Sequence, residues 1–285
     1  MNTLQRFGVI GDPIHHSLSP FMHNLAYAER GMTHCRYDFF HVRAENLTEA
    51  VRDLRAQGVV GFNATIPHKE NLVPLMDALD PMARMIGAVN TVVIQPDGRL
   101  IGYNTDGYGF ITDLREVWGG FLRDIEILVL GAGGAARGVL AALLQEGAGS
   151  VGLMNRTHER AVALAEEFSR FFPDRLITPI PWTHTLPACQ LVINTTSLGM
   201  DNATEAVPDL TLLPPSALVY DIVYSPPVTP LLSAARARGL KIENGLGMLI
   251  HQGAKAFEIW TGQTMPVDAV RKGLKEQRGV GSLRG

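Results

Sequence analysis

Cysteine is nearly missing: the 285 residues hold two, Cys35 and Cys189. They stand far apart, with neither a CxxC pair nor clustered histidines beside them, which argues against a disulfide framework or a zinc site and leaves two buried thiols as the expectation. A charge surplus is lacking too. With a formal net charge of −3, the chain has no basic footprint for a nucleic acid or an anionic membrane surface. No segment reaches the roughly 18 apolar residues of a spanning helix. The opening MNTLQRFGVIGDP lacks the charged start and sustained apolar stretch of a secretory signal. The expectation is a cytoplasmic protein acting on small molecules, with no metal, nucleic acid or membrane partner.

Hydrophobic residues make up 46% of the chain and charged ones 19%, ordinary globular usage for a length that suits two domains or one large one. The runs FGVIG (7 to 11), CRYDFF (35 to 40) and GVVGFNATI (58 to 66) read as strands, with helical stretches near 19 to 31 and 46 to 56 between them. That alternation implies parallel strands with crossover helices. At 88 to 106 the pattern changes to two alternating runs joined by PDG, a hairpin signal, so the first sheet is expected to be mixed. A helix-like run from 107 to about 118 leads into a second alternation, with strands at 150 to 155, 176 to 180, 190 to 196 and 217 to 224. The fold class that follows is α/β with two domains, an N-terminal mixed-sheet one and a C-terminal Rossmann-like one of nucleotide-binding type. The expected boundaries are 1–106 and 107–245, followed by C-terminal helices at 246–285 that pack back on the first domain and a loose tail after about 276.

VLGAGGAAR fits GxGxxA, with Gly131 and Gly133 after a strand and Ala136 at the third small position. The first glycine permits the tight turn, the second lets backbone approach a pyrophosphate, and the small third residue allows close helix packing. Amides at the helix start then face the phosphate charge. Where an NAD site usually offers a carboxylate, roughly 20 residues further on, this chain reads NRT, with Arg160 one turn beyond Arg156. Arginine pairs with a 2′-phosphate that an acid would repel, so NADP is the expected cofactor.

Two further stretches carry polar groups in unusual places. HHSLSP presents Ser17 and Ser19 two apart, so in an extended segment both hydroxyls face one side; capping of a following helix is the structural alternative. NATIPHKE (63 to 70) ends a strand and starts a predicted helix with Pro67 at its first position, which puts Lys69 in the opening turn. A cation there opposes the helix dipole, at a cost of roughly 0.3 to 1 kcal/mol.

Together with FNATIPHKE, GAVNTVV, GYNTDGYGF, GAGGAAR, NRT, NTTSLGM and NGLGMLIHQGAKAFEIWTG, the serine segment resembles the shikimate dehydrogenase family, in order and over nearly the whole chain. The resemblance implies two α/β domains around a cleft, with shikimate on the first and NADP on the second. It makes Lys69 and Asp106 a catalytic pair, and gives Ser17, Ser19, Asn63, Thr65, Asn90, Tyr224 and Gln252 to the hydroxyls and carboxylate of shikimate. Gly131, Gly133, Gly134, Ala135, Asn155, Arg156, Thr157 and Arg160 would hold NADP, with Thr195, Thr196, Val223, Gly245 and Met248 at its nicotinamide end. Lys69 would protonate the ketone oxygen of 3-dehydroshikimate or stabilise its developing charge. His15, His16, His23 and His251 are read as helix-end or supporting residues. The implied partner is a small molecule, shikimate or 3-dehydroshikimate; a homodimer stays open. A relative acting on quinate or another shikimate-like acid, or a non-catalytic nicotinamide-binding sensor, are the alternatives.

Overall fold

In the computed structural model of the chain the described residues are 4–199 and 207–278. Met200 of NTTSLGM and the tail from 279 lie outside them. The described residues divide into two compact units, one formed by 4–109 with 249–278, the other by 110–199 with 207–248.

The first unit opens with β1 (Gln5–Gly11), α1 (Ser19–Glu29), β2 (Cys35–His41), α2 (Leu47–Ala56) and β3 (Val59–Ala64). β1 pairs in parallel with both β2 and β3, as strands joined by crossover helices must. α2 explains its own docking: Leu47, Val51 and Leu54, spaced as one helical face, are its buried residues. There follow β4 (Ala78–Leu79), α3 (Pro81–Ile86), β5 (Thr91–Ile94), β6 (Leu100–Tyr103) and α4 (Asp106–Val117). β5 and β6 form the antiparallel hairpin that PDG signals, with Gly98 at φ 86. The sheet order is β2-β1-β3-β5-β6-β4, mixed as expected.

No α-helix starts at Pro67. His68 N–H donates to Thr65 O at 2.9 Å, so Pro67 stands inside a tight turn. A short 3₁₀ turn comes only at Val73–Leu75. The missing piece of secondary structure is α3, which Asp80 caps by accepting from Met82 N at 2.9 Å and Gly87 closes at φ 67.

The second unit contains β7 (Glu126–Leu130), α5 (Gly134–Gln145), β8 (Ser150–Met154), α6 (His158–Phe171), β9 (Leu176–Ile180), β10 (Leu191–Asn194), β11 (Leu218–Asp221), α7 (Pro230–Ala237) and β12 (Lys241–Asn244). All its ladders are parallel, in the order β12-β11-β10-β7-β8-β9. Counted within the unit this is the doubly wound 3-2-1-4-5-6 order, whose reversal lies between β7 and β10. Then α8 (Leu246–Thr261) and α9 (Val267–Arg278) end the described chain. Among the described residues no helix is long and apolar enough to cross a membrane. Both cysteines are buried free thiols, and burial pushes the Cys189 thiol up to about 12.

Candidate active site

In the first unit the polar residues singled out above gather where strands end. Lys69 lies in the turn after β3, and its carbonyl accepts from Val89 N at 2.8 Å, which ties the turn to the segment before β5. Its neighbour His68 is fully buried. The His68 Nε2 proton goes to Val42 O at 2.7 Å, a second anchor beside the lysine. Asp106 begins α4, where a carboxylate is favoured by the helix dipole. Lys69 Nζ donates to Asp106 Oδ2 at 2.7 Å, with side-chain exposures of 16% and 6%. The helix start therefore belongs to the aspartate, and the lysine reaches across to it.

Asn90 is the hub of what surrounds this pair. Its Nδ2 donates to Asp106 Oδ1 at 2.8 Å and Thr105 Oγ1 at 3.0 Å, and lies 3.4 Å from Gln252 Oε1. Its Oδ1 accepts from Thr105 N at 2.8 Å and Thr91 Oγ1 at 3.0 Å. Asn90 thus holds the carboxylate oxygen that Lys69 leaves. Asn63 donates through Nδ2 to Asn90 O at 3.1 Å and Thr91 Oγ1 at 2.9 Å. Thr65 follows β3, half-buried, and Gln252 sits on α8 with Nε2 bonded to Leu249 O at 2.9 Å.

The two serines do not lie on an extended segment. Ser17 N donates to Ile14 O at 3.0 Å and Ser17 Oγ accepts from Ser19 N at 3.3 Å, because the chain is already turning into α1. Ser19 is the first residue of that helix and is buried, while Ser17 is partly exposed. Tyr224, half-buried, belongs to the second unit, just after β11.

In the second unit Gly131 directly follows β7 at φ 114, and a Cβ there would sit 2.5 Å from Thr195 Oγ1. At Gly133, by contrast, a Cβ would meet nothing within 4 Å. Packing does not demand that second glycine, so the open space before α5 suits an approaching ligand backbone. No side chain caps α5, whose N-cap is Gly133 and whose first residues are Gly134 and Ala135. Its leading amides stay available to an anion. Ala136 is fully buried. Asn155 Nδ2 donates to Thr157 O at 2.7 Å, shaping the turn after β8. Arg156 and Arg160 are both exposed there.

Past the reversal point, the ends of β10 and β11 are joined through one carboxylate. Asp221 accepts from Asn194 Nδ2 at 2.9 Å, Val223 N at 3.1 Å and Thr229 Oγ1 at 2.7 Å. Burial raises it to about 6, against the pull of those three donors. Asn194 in turn accepts from Thr196 N at 3.1 Å and Thr196 Oγ1 at 2.6 Å, while Thr195 Oγ1 bonds Leu130 O at 2.7 Å. Gly245 N donates to Val223 O at 3.2 Å, and a Cβ on Gly245 would fall 1.8 Å from Ile222 O, so only glycine fits. Met248 is buried at the start of α8. Tyr37, whose hydroxyl donates to Asn63 Oδ1 at 2.7 Å, Thr91 and Thr105 enter these networks without having been singled out in the sequence. Thr91 and Thr105 lie inside the quoted GAVNTVV and GYNTDGYGF; Tyr37 offered no signal beyond a strand pattern.

A second unit that is doubly wound with a glycine turn at its reversal point, and a first unit bearing a largely buried ammonium and carboxylate pair, define a dinucleotide-dependent oxidoreductase. Comparison with known proteins narrows the class. The chain belongs to the shikimate dehydrogenase family: residues 9–92 match the shikimate dehydrogenase substrate binding domain, 115–197 shikimate / quinate 5-dehydrogenase, and 245–275 the shikimate 5'-dehydrogenase C-terminal domain. A shikimate dehydrogenase (NADP(+)) of Magnetococcus marinus is 50% identical over 271 residues, covering 94% of this chain and 94% of that protein. Another, of Rhodospirillum rubrum, is 48% identical over 265 residues, 92% of this chain and 93% of the relative. The shikimate 5-dehydrogenase of Thermus thermophilus, solved in complex with NADP(H) and shikimate, superposes with a TM-score of 0.83 at 38% identity, covering 95% of this chain and 99% of that one.

Proposed function

We propose that the chain catalyses the NADP-dependent, reversible reduction of 3-dehydroshikimate to shikimate, with Lys69 and Asp106 as the catalytic pair. The observation that carries this reading is the 2.7 Å contact between Lys69 Nζ and Asp106 Oδ2. A relative of 50% identity named for this activity supports it.

The residues of the second unit fit the cofactor, since the space at Gly133, the uncapped amides of α5 and the exposed Arg156 and Arg160 suit a pyrophosphate and a 2′-phosphate. Gly131, Gly134 and Ala135 would shape the pyrophosphate turn, Asn155 and Thr157 the adenosine end, and Thr195, Thr196, Val223, Gly245 and Met248 the nicotinamide end. NADPH, when bound, supplies the hydride. Lys69 gives its proton to the ketone oxygen as charge develops there, a contribution of roughly 10² to 10⁴ in rate. Asp106 keeps the ammonium directed and accepts from a substrate hydroxyl with a lone pair that Lys69 and Asn90 leave free. Ser17, Ser19, Asn63, Thr65, Gln252 and Tyr224 recognise the remaining hydroxyls and the carboxylate, while Asn90 works chiefly by orienting Asp106.

The test is a steady-state matrix of shikimate and quinate against NADP and NAD. The highest kcat/KM is expected for shikimate with NADP. A quinate rate above that for shikimate would move the chain to the quinate branch, and equal or better efficiency with NAD would end the argument from Arg156 and Arg160.

A further inference from the structure

β2 is an edge strand of the first sheet, and an edge leaves backbone groups to be satisfied by something other than a strand. At Tyr37 that something is one side chain: Asn24 of α1 accepts from Tyr37 N at 2.9 Å through Oδ1 and donates to Tyr37 O at 2.8 Å through Nδ2. The backbone of Tyr37 is thereby held on its outer side. Its ring is held as well. It lies parallel to the ring of His23, centroids 4.3 Å apart at 4°, and tilted against Trp260 at 6.0 Å. Trp260 is tied down in turn by Nε1 donating to Val92 O at 3.0 Å.

A phenol clamped this firmly points at one target. Tyr37 is 1% exposed, and its hydroxyl donates to Asn63 Oδ1 at 2.7 Å. Burial, with the Tyr27 phenol nearby, drives the phenol well above its ordinary value, so it stays protonated and donates. Both amide hydrogens of Asn63 are already committed, to Asn90 O and Thr91 Oγ1. With the tyrosine donating to Oδ1, the one group Asn63 has left is the second lone pair of that oxygen.

We infer that Tyr37 is a positioning residue for substrate recognition: its hydroxyl holds the Asn63 amide so that it can only accept, which selects a substrate hydroxyl acting as donor at that point. The inference rests on the functional reading above and deepens it by giving one subsite its polarity. It concerns a residue inside the sheet edge that neither donates a proton to substrate nor touches the Lys69 and Asp106 pair.

Tyr37→Phe removes the hydroxyl and keeps the ring stack. The expected result is a rise in the shikimate KM of about 5- to 30-fold, with kcat within about threefold and the NADP KM within about twofold of the parent. Against a set of shikimate analogues each lacking one hydroxyl, the parent discriminates most strongly against the one whose hydroxyl meets Asn63. Tyr37→Phe should shrink that one discrimination and leave the others alone, which a merely structural loss would not do. In the Asn63→Ala background the same substitution should add less than about twofold, since coupled residues are non-additive. A parent that turns over shikimate, paired with a Tyr37→Phe variant inside twofold for KM and unchanged across the analogues, overturns this inference alone; a parent with no shikimate turnover overturns it together with the reading it rests on.

Discussion

Lys69 is the residue at which identity and placement part company. Its importance is legible in the sequence, through a motif in which a cation stands where a helix would disfavour it. The reason for that oddity was not legible, because the helix does not exist: the turn at Pro67 leaves the lysine free to reach Asp106, which occupies the helix start instead. A residue pair 37 positions apart has no local pattern that would announce it, and neither does Tyr37, whose partners Asn24 and Asn63 lie 13 and 26 positions away. The chemistry assigned to the lysine has a sharp kinetic consequence. Lys69→Ala should lower kcat by about 10² to 10⁴ while the shikimate KM stays within about threefold, as expected when a group acts in the transition state more than in binding. Steady-state kinetics, with a binding titration beside them, check this. Weak binding with normal turnover at saturation would assign Lys69 to recognition instead.

Among elements, long periodic ones were readable and short ones were not. The hairpin of β5 and β6 came from PDG, and α2 was read as the helical stretch near 46 to 56. α3 went unread although Asp80, Pro81 and Gly87 mark both its ends, because six residues carry too little periodicity to compete with the proline signal at 67. β4, at two residues, has no pattern of its own. The glycine turn before α5 was readable as a motif, yet the structure separates its two glycines by physical job. Gly131 has φ 114 and its missing Cβ would crowd Thr195 Oγ1 at 2.5 Å, so Gly131→Ala should cost on the order of 1 to 3 kcal/mol in stability. Gly133 has φ −99 and open space around it. Gly133→Ala should therefore leave the melting temperature almost unchanged, since exchanging glycine at a cap costs only on the order of a kcal/mol or less, and yet raise the NADP KM by about tenfold or more. Melts and NADP titrations on the two variants separate these roles. A Gly133→Ala protein that keeps its NADP affinity would mean the pyrophosphate does not approach there.

At the scale of the whole molecule the two units were foreshadowed by the change from one strand and helix alternation to another, but their responses to acid depend on burial that no sequence displays. His23, in the first unit, is fully buried with neither ring nitrogen hydrogen-bonded in the described structure. Burial lowers it from 6.5 to about 3. Because the folded value lies below the unfolded one, the stability linked to neutral His23 is fully present above pH 6.5 and is lost as pH falls towards 3. The full span is on the order of 5 kcal/mol. Asp221, in the second unit, runs the other way. Its folded value is raised from 3.8 to about 6, so its contribution is fully present below 3.8 and is lost as pH rises through 6, a span on the order of 3 kcal/mol. Between pH 6 and 4, then, acid weakens the first unit through His23 while it relieves the buried carboxylate of the second. Two units with opposite slopes need not melt together, and calorimetry at pH 7.5 and 4.5 should show the transitions drawing apart, with the first unit melting earlier at the lower pH. His23→Phe keeps a ring against Tyr37 and carries no proton, so it should flatten the acid limb of the lower transition by about 2 to 3 kcal/mol at pH 4.5 and leave the upper one alone. Asp221→Asn should remove the opposing slope from the upper transition. A His23→Phe protein whose melting temperature follows the parent at a constant offset across that range would show that the imidazole is not what acid attacks.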